Sequence, residues 1–295
     1  MSGGGSSRQV EVIDSTMLGD SLQCLRLYYW RHCRHLVPAS PSLPLAYGQA
    51  AHASLAAHYR GATAGEALAA FEAVWDEAVG GLLDEDEPGD SKRNPLRWAE
   101  TFMAYRDFYR VEPFKVLGVE NRAIVPLVED DLYLAVILDL ITLWDGKPVV
   151  IDHKTTSYMS PDFFQAFTIR HQFTGYILAA TRLLELDEPA GLVANCILVT
   201  DRAAPPSRLF ARYPVTRSRW QLEAWHQEIV SWWRVVRACR EAGDWPRNDD
   251  RCFRWRPGCP YFILCASTEA DYRSYQPPES LFRVEQWNPV KEEGK

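Results

Sequence analysis

One acid buried in an apolar strand constrains this chain more than anything in its composition. Ile137-Leu138-Asp139-Leu140-Ile141 lies inside the longest apolar stretch, residues 133–144, and a second run, Val149-Val150-Ile151, leads straight into Asp152-His153-Lys154-Thr155-Thr156. An ionised carboxylate in such a setting is costly unless it is paired or bound to a metal. Turn signals at Glu129-Asp130-Asp131 and Asp145-Gly146 join residues 116–127, 132–143 and 148–151 into an expected three-stranded meander. That puts the two acids on adjacent strands, and Lys154 shares a strand face with Asp152 because side chains at i and i+2 point the same way. Carboxylates so placed suit a hard divalent cation, Mg²⁺ or Mn²⁺, which polarises a phosphodiester and acidifies a bound water. A lysine beside them would position that water or stabilise developing charge. An Asp-x-Lys by itself is usually a surface pair of little value; the apolar frame around Asp139 argues for the metal.

The flanking texture predicts an α/β fold. Residues 15–110 carry helical periodicity, broken by an acidic Gly- and Pro-containing stretch at 84–95. Residues 161–186 are helical again, 191–200 read as a buried strand and 208–215 as a further strand. A long helix over 218–242 aligns Leu222, Trp225, Ile229, Trp232, Val236 and Cys239 as its core stripe. The expected organisation is a flexible Gly/Ser-rich tail (1–14), a helical lobe (15–110), a catalytic core (111–216) and a C-terminal helix with a cysteine-rich segment (217–295), all in one compact body.

Hydrophobic residues at 47% and charged residues at 24% belong to an ordinary globular protein. A net charge of −7 excludes a protein that coats nucleic acid by bulk positive charge, although a local basic stripe still serves phosphates. The start has no apolar h-region and no stretch is long enough to span a bilayer, so the expected location is cytoplasmic, with no membrane partner. There is no Gly-x4-Gly-Lys-Ser/Thr loop, hence no ATP-driven motor in this chain. Seven cysteines, an odd number, do not make a disulfide framework in a reducing compartment.

With Asp139, Asp152 and Lys154 at its centre, the chain resembles the PD-(D/E)XK nuclease superfamily, in the branch of RecB-like and CRISPR-associated exonucleases. Gly48-Gln49-Ala50-Ala51-His52 resembles that branch's upstream Gly-x-x-x-His motif, and Gln172 with Tyr176 its downstream Gln-x-x-x-Tyr motif. The resemblance implies a restriction-endonuclease-like core, a mixed central sheet flanked by helices. It also implies a metal held by His52, Asp139, Asp152 and the main-chain carbonyl of His153, with Lys154, Gln172 and Tyr176 as catalytic residues. Each flanking pair alone is weak, since a helical His is more often structural and Gln with Tyr four apart simply shares a helix face. Their order around the Asp/Asp-x-Lys centre is what chance does not easily produce. Glu120 resembles an acid often found at the head of the first strand, but a strand-edge glutamate is usually solvated and is left out of the site. His58 is assigned to the surface.

Cys252, Cys259 and Cys265 stand close together in an irregular, Pro-containing segment, where a bound metal explains them better than packing does. A fourth thiolate comes from Cys24 or Cys33, which are nine residues apart and about half a turn out of phase on one helix. Iron–sulfur nucleases of the resembled family hold a [4Fe–4S] cluster with one cysteine near the start and three near the end, which favours Cys24 in Ser21-Leu22-Gln23-Cys24-Leu25. The family's triplet more often begins with two intervening residues where this chain has six. Structural Zn²⁺, or free thiols, are the alternatives.

The resulting expectation is a metal-dependent deoxyribonuclease, an exonuclease more than an endonuclease, acting on single-stranded DNA or DNA ends in repair, phage replication or CRISPR spacer acquisition. Any helicase or integrase-type activity belongs to a partner protein. Arg26, Arg31, Arg34, Arg202, Arg208 and Arg212 are candidates for phosphate contacts. The competing reading is a non-catalytic DNA-binding or assembly subunit that keeps the fold.

Overall fold

A computed structural model describes residues 10–40, 42–80, 91–254, 258–267 and 271–286. Part of the expected 84–95 break and residues 255–257 of the cysteine segment lie outside them. The chain divides into two compact units, one built from Met1–Ser40, Ile124–Val136 and Glu223–Lys295, the other from Pro41–Ala123 and Ile137–Leu222.

The first unit starts with β1 (Glu11–Ile13), capped into α1 (Ser15–Gln23) by the Asp14 carboxylate, which accepts the Thr16 and Met17 amides at 2.8 Å. Residues 11–14 are therefore ordered rather than part of a flexible tail: Ile13 is fully buried, and three residues are too few for a strand pattern to register in sequence. The chain breaks at Cys24, which is extended, then resumes as α2 (Leu25–Tyr28), a π-turn over Tyr29–Cys33, and β2 (Leu36–Pro38). Cys24 and Cys33 thus do not share one regular helix, so the expected half-turn phase between them does not apply.

In the second unit α3 (Leu43–Tyr59), α4 (Ala64–Val79) and α5 (Pro95–Phe108) bury Tyr47, Leu55, Phe71, Trp98, Phe102 and Tyr105 in one cluster. A capping box between Thr63 and Glu66 starts α4, and Asn94 caps α5 ahead of Pro95. His58 is half-buried here, its ring edge-on to Phe102 at 5.6 Å, and is not a surface residue.

The expected meander forms as β3 (Phe114–Val128), β4 (Leu132–Trp144) and β5 (Lys147–Thr156), the last reaching well beyond residues 148–151. After α6 (Pro161–Gln165) and a 3₁₀ turn at Ala166–Thr168 come α7 (His171–Leu183), β6 (Gly191–Leu198), α8 (Pro206–Leu209) and β7 (Phe210–Val215). The six-stranded sheet runs β1-β4-β5-β6-β7, with β3 also paired to β4. It is mixed: β1–β4 and β5–β6 are parallel, β4–β5 and β6–β7 antiparallel. Alternate residues of β5 serve different helices. His153 stacks on Tyr59 of α3 at 5.6 Å, whereas the Lys154 ammonium lies 5.7 Å from the Phe173 ring of α7. A mixed sheet flanked by helices is the architecture expected of a restriction-endonuclease-like core.

α9 (Arg219–Ala242) buries Leu222, Trp225, Ile229, Trp233 and Val236. Trp233, not Trp232, completes the stripe, and Cys239 is only half-buried. The first unit ends with α10 (Phe262–Ala266) and β8 (Phe282–Val284), which pairs antiparallel with β2. Among the described residues no helix is long and apolar enough to cross a membrane.

Candidate metal centre

The ladder between β4 and β5 runs from Trp144↔Lys147 to Leu140↔Ile151, and Asp139 and Asp152 are the next residues beyond it. There the Asp139 carboxylate takes over from the backbone: its Oδ2 accepts the His153 N–H at 2.7 Å. The same oxygen lies 3.4 Å from His52 Nδ1. Gly48, one turn before His52, faces β5 closely: a Cβ there would meet Thr155 Oγ1 at 3.5 Å, an ordinary contact that leaves room for Ala but little for a larger side chain.

Glu120 completes this group. Ligand atoms of His52, Glu120 and Asp139 all lie within 4.8 Å of one another. Glu120 has φ 53°, unusual for a non-glycine residue, and Gly118 just before it sits where a Cβ would collide with the Asn121 side-chain amide. This distortion of β3 brings to the centre an acid whose strand-edge position in the sequence points to solvent. Two carboxylates and an imidazole so close form a hard, mixed O/N donor set that fits a divalent cation.

Asp152 is 1% exposed and its carboxylate engages Lys154, whose Nζ lies 2.9 Å from Oδ1 and 2.7 Å from Oδ2. Gln172 Nε2 donates to Tyr176 Oη at 3.1 Å, and Phe173, next to Gln172 on α7, forms the ring under Lys154. The structure thus gathers His52, Glu120 and Asp139 in one cluster, sets the Asp152–Lys154 pair beside it in the strand, and borders the lysine with the start of α7.

The electrostatics separate the two strand acids. Burial works against charge on Asp139, but His52 overrides it by charge and hydrogen bonding and holds the carboxyl well below its usual range. Burial pushes Asp152 up, and Asp139 adds to the rise against the pull of Lys154. His52 shows the reciprocal effect: burial would lower it, yet Asp139 lifts it to about 9. Burial keeps His153 neutral, down at about 3. Its Nδ1 lies 2.8 Å from Asn195 Nδ2, and Asn195 also donates to Tyr105 Oη at 3.0 Å. The network ends at Arg212, which clasps Glu112 at 2.6 and 2.8 Å.

That clasp removes Arg212 from the candidates for phosphate contact. Arg26 is likewise occupied, bonded to the Trp245 carbonyl and lying 3.2 Å over the Tyr272 ring, as is Arg34 on the carbonyls of Arg273 and Tyr275. Arg31 pairs with Asp20 at 3.1 Å. Arg202 and Arg208 are exposed.

In the first unit, Cys24, Cys252, Cys259 and Cys265 line one small cavity with Leu27, Asn248 and Tyr261. The Asn248 amide donates to Cys24 Sγ at 3.3 Å, and the Cys259 amide bonds the Cys252 carbonyl at 2.7 Å. Burial, with the other three thiols nearby, pushes Cys259 up to about 11 despite a hydrogen bond from the Tyr261 backbone. Cys33 does not line the cavity; burial raises its thiol, and the charges of Arg240 and Glu11 act on it. Four cysteines lining one cavity offer the soft sulfur donors that a cluster or a zinc ion takes.

A comparison with curated proteins finds no match. Residues 16–266 match the family model of the PD-(D/E)XK nuclease superfamily. That span takes in both acids of the strand pair, the lysine two residues beyond the second, and the histidine and glutamate that join them, and the chain belongs to the PD-(D/E)XK nuclease superfamily.

Proposed function

We propose that the chain is a divalent-metal-dependent deoxyribonuclease of the RecB-like branch, hydrolysing phosphodiesters of single-stranded DNA exonucleolytically from an end. The observation that carries this reading is the convergence of His52, Glu120 and Asp139 within 4.8 Å, beside a lysine held by the second strand acid. His52, Glu120 and Asp139 hold Mg²⁺ or Mn²⁺, with Asp152 and the His153 carbonyl as the neighbouring oxygens. The bound cation would polarise the phosphodiester and lower the pKa of water. Lys154 is fixed between the Asp152 carboxylate and the Phe173 ring, so its ammonium is already oriented to hold a nucleophile or meet developing charge. Gln172 and Tyr176, bonded to each other, present a polar edge on the same helix.

The four cysteines of the first unit hold a [4Fe–4S] cluster in this reading, with Zn²⁺ as the alternative, and the cytoplasm is the compartment that would keep them reduced. DNA end processing in repair, phage replication or spacer acquisition is the matching role, with strand separation left to a partner protein.

The test is cleavage of end-labelled single-stranded and duplex DNA with Mn²⁺. Lys154→Ala is expected to lower the rate by roughly 10² or more, the scale of losing one preorganised charge-stabilising group. Undiminished cleavage by that variant would overturn the mechanism, and no cleavage by the parent under any divalent ion would favour a non-catalytic DNA-binding subunit.

A further inference from the structure

Arg170 shares the Phe173 ring with Lys154. It is exposed, and it caps the N-terminal end of α7, two residues before Gln172. Its guanidinium carbon lies 5.8 Å from the Phe167 ring centre and 5.7 Å from that of Phe173, both rings fully buried. The Lys154 ammonium lies 5.7 Å from the same Phe173 ring, so the two cations share one aromatic support. Among the described residues no carboxylate pairs with Arg170; its ring contacts are cation–π in kind and leave the planar N–H donors available.

The backbone beneath it is built, not incidental. Arg217, 7% exposed, donates to the Phe167 carbonyl at 2.9 Å and to Thr174 Oγ1 at 2.9 Å, and Thr174 Oγ1 in turn donates to the Arg170 carbonyl at 3.2 Å. A buried arginine without a carboxylate partner in this set is an expensive fitting. Here it fixes the turn from which Arg170 projects. Cys196 on β6 is in register with Lys154, so β6 holds the strand position from which the lysine reaches the shared ring.

We propose that Arg170 contacts a non-scissile phosphate of the DNA strand, next to the bond presented to Lys154, and so sets the register of the substrate in the site. The inference rests on the nuclease reading of the same centre. A guanidinium fork matches phosphate oxygens bidentately. Its seat on Phe167 and Phe173 means that little side-chain freedom is lost when phosphate arrives. Backbone contacts of this kind position a strand without reading its sequence.

The full chain is tested by equilibrium binding of labelled single-stranded DNA in Ca²⁺ across a salt series, with cleavage in Mn²⁺ measured alongside. Arg170→Met covers the rings but carries no charge. It is expected to weaken binding roughly tenfold and to make the slope of log affinity against log salt shallower by about one phosphate contact. Its KM should rise more than its kcat falls. Arg170→Lys should keep the parent slope. Lys147→Met removes a charge about 23 Å along β5 from Lys154 and should leave the slope unchanged. A Met variant with the parent's slope overturns the inference, as does an equal change in the Lys147 variant. Binding that depends on Arg170 without cleavage under any divalent ion would sink the nuclease reading and leave this contact standing. A parent that does not bind DNA removes both.

Discussion

Oδ2 of Asp139 accepts the His153 amide and lies 3.4 Å from His52, so one carboxylate both closes the β4–β5 gap and belongs to the candidate metal site. The two roles separate by substitution. Asp139→Asn leaves an oxygen within reach of the amide, so the variant should fold like the parent while losing Mn²⁺ affinity, read by calorimetric titration. Asp139→Ala leaves the buried amide unmet and should cost a further ~1–3 kcal/mol in denaturant unfolding. Equal stability of the two variants would mean that the amide bond contributes nothing. Asp139 was legible in sequence because a charge within an apolar run has few explanations. Glu120 was legible only through its resemblance to an acid found at the head of the first strand, and strand-edge solvation argued against it: its inward turn depends on a φ of 53°, which no side-chain pattern encodes. A second signal was Gly118, since a glycine inside a strand often marks a distortion. Arg212 failed as a phosphate candidate for a similar reason, because Glu112, a hundred positions away in sequence, captures it.

The element that carries the site, β5, is longer than its apolar pattern. Residues 152–156 are polar and chemically committed, yet they stay in strand because β6 pairs with them in parallel register as far as Thr156↔Leu198. Partner strands of this kind are distant in sequence, so the pattern alone ended the strand at its last aliphatic residue. The opposite limit appears at β1, where three residues were too few to notice although Glu11 anchors α9. Glu11 accepts from Arg237 at 2.6 Å, Arg240 at 2.9 Å and Trp233 at 3.1 Å, and Arg237 also binds Asp131. Burial would raise the Glu11 carboxyl, but Arg240 and Arg237 together bring it below its ordinary 4.5. A depressed carboxyl stabilises the fold above the ordinary value, and that contribution is lost as pH falls through the folded-state value. Glu11→Gln should therefore destabilise the protein at neutral pH, and its gap from the parent should narrow steadily below about pH 4.5. Urea midpoints of both proteins from neutral pH downward measure this; a constant gap would assign the effect to packing.

At the scale of the whole chain, the two compact units do not follow the order of the sequence. The helical stretch 15–110 is divided between them, and the first unit is assembled from three separate pieces, the outer two of which are the beginning and the end of the chain. Local periodicity reports helices well but says nothing about which of them associate, and so the expected succession of tail, lobe, core and appendix could not foresee this assembly. The cysteines gave the one long-range hint, since a ligand near position 24 and three after 250 make sense only if those segments meet. They do meet: Leu27, Trp30, Leu36, Tyr261, Leu264 and Phe282 form one core, with Cys24, Cys259 and Cys265 packed against it. This core is small, and a metal bound by thiolates from both ends would add binding free energy to its folding. In the cluster reading, Cys259→Ser should lose iron and visible absorption together. Under limited proteolysis it should then be cut first within residues 1–40 and 223–295, while residues 137–222 stay protected. Iron and zinc analysis of protein purified without oxygen checks the premise: iron at cluster stoichiometry supports it, zinc transfers the same clamp to a single ion, and a metal-free protein with unchanged proteolysis would show that aromatic packing around Trp30 and Tyr261 holds the ends together unaided.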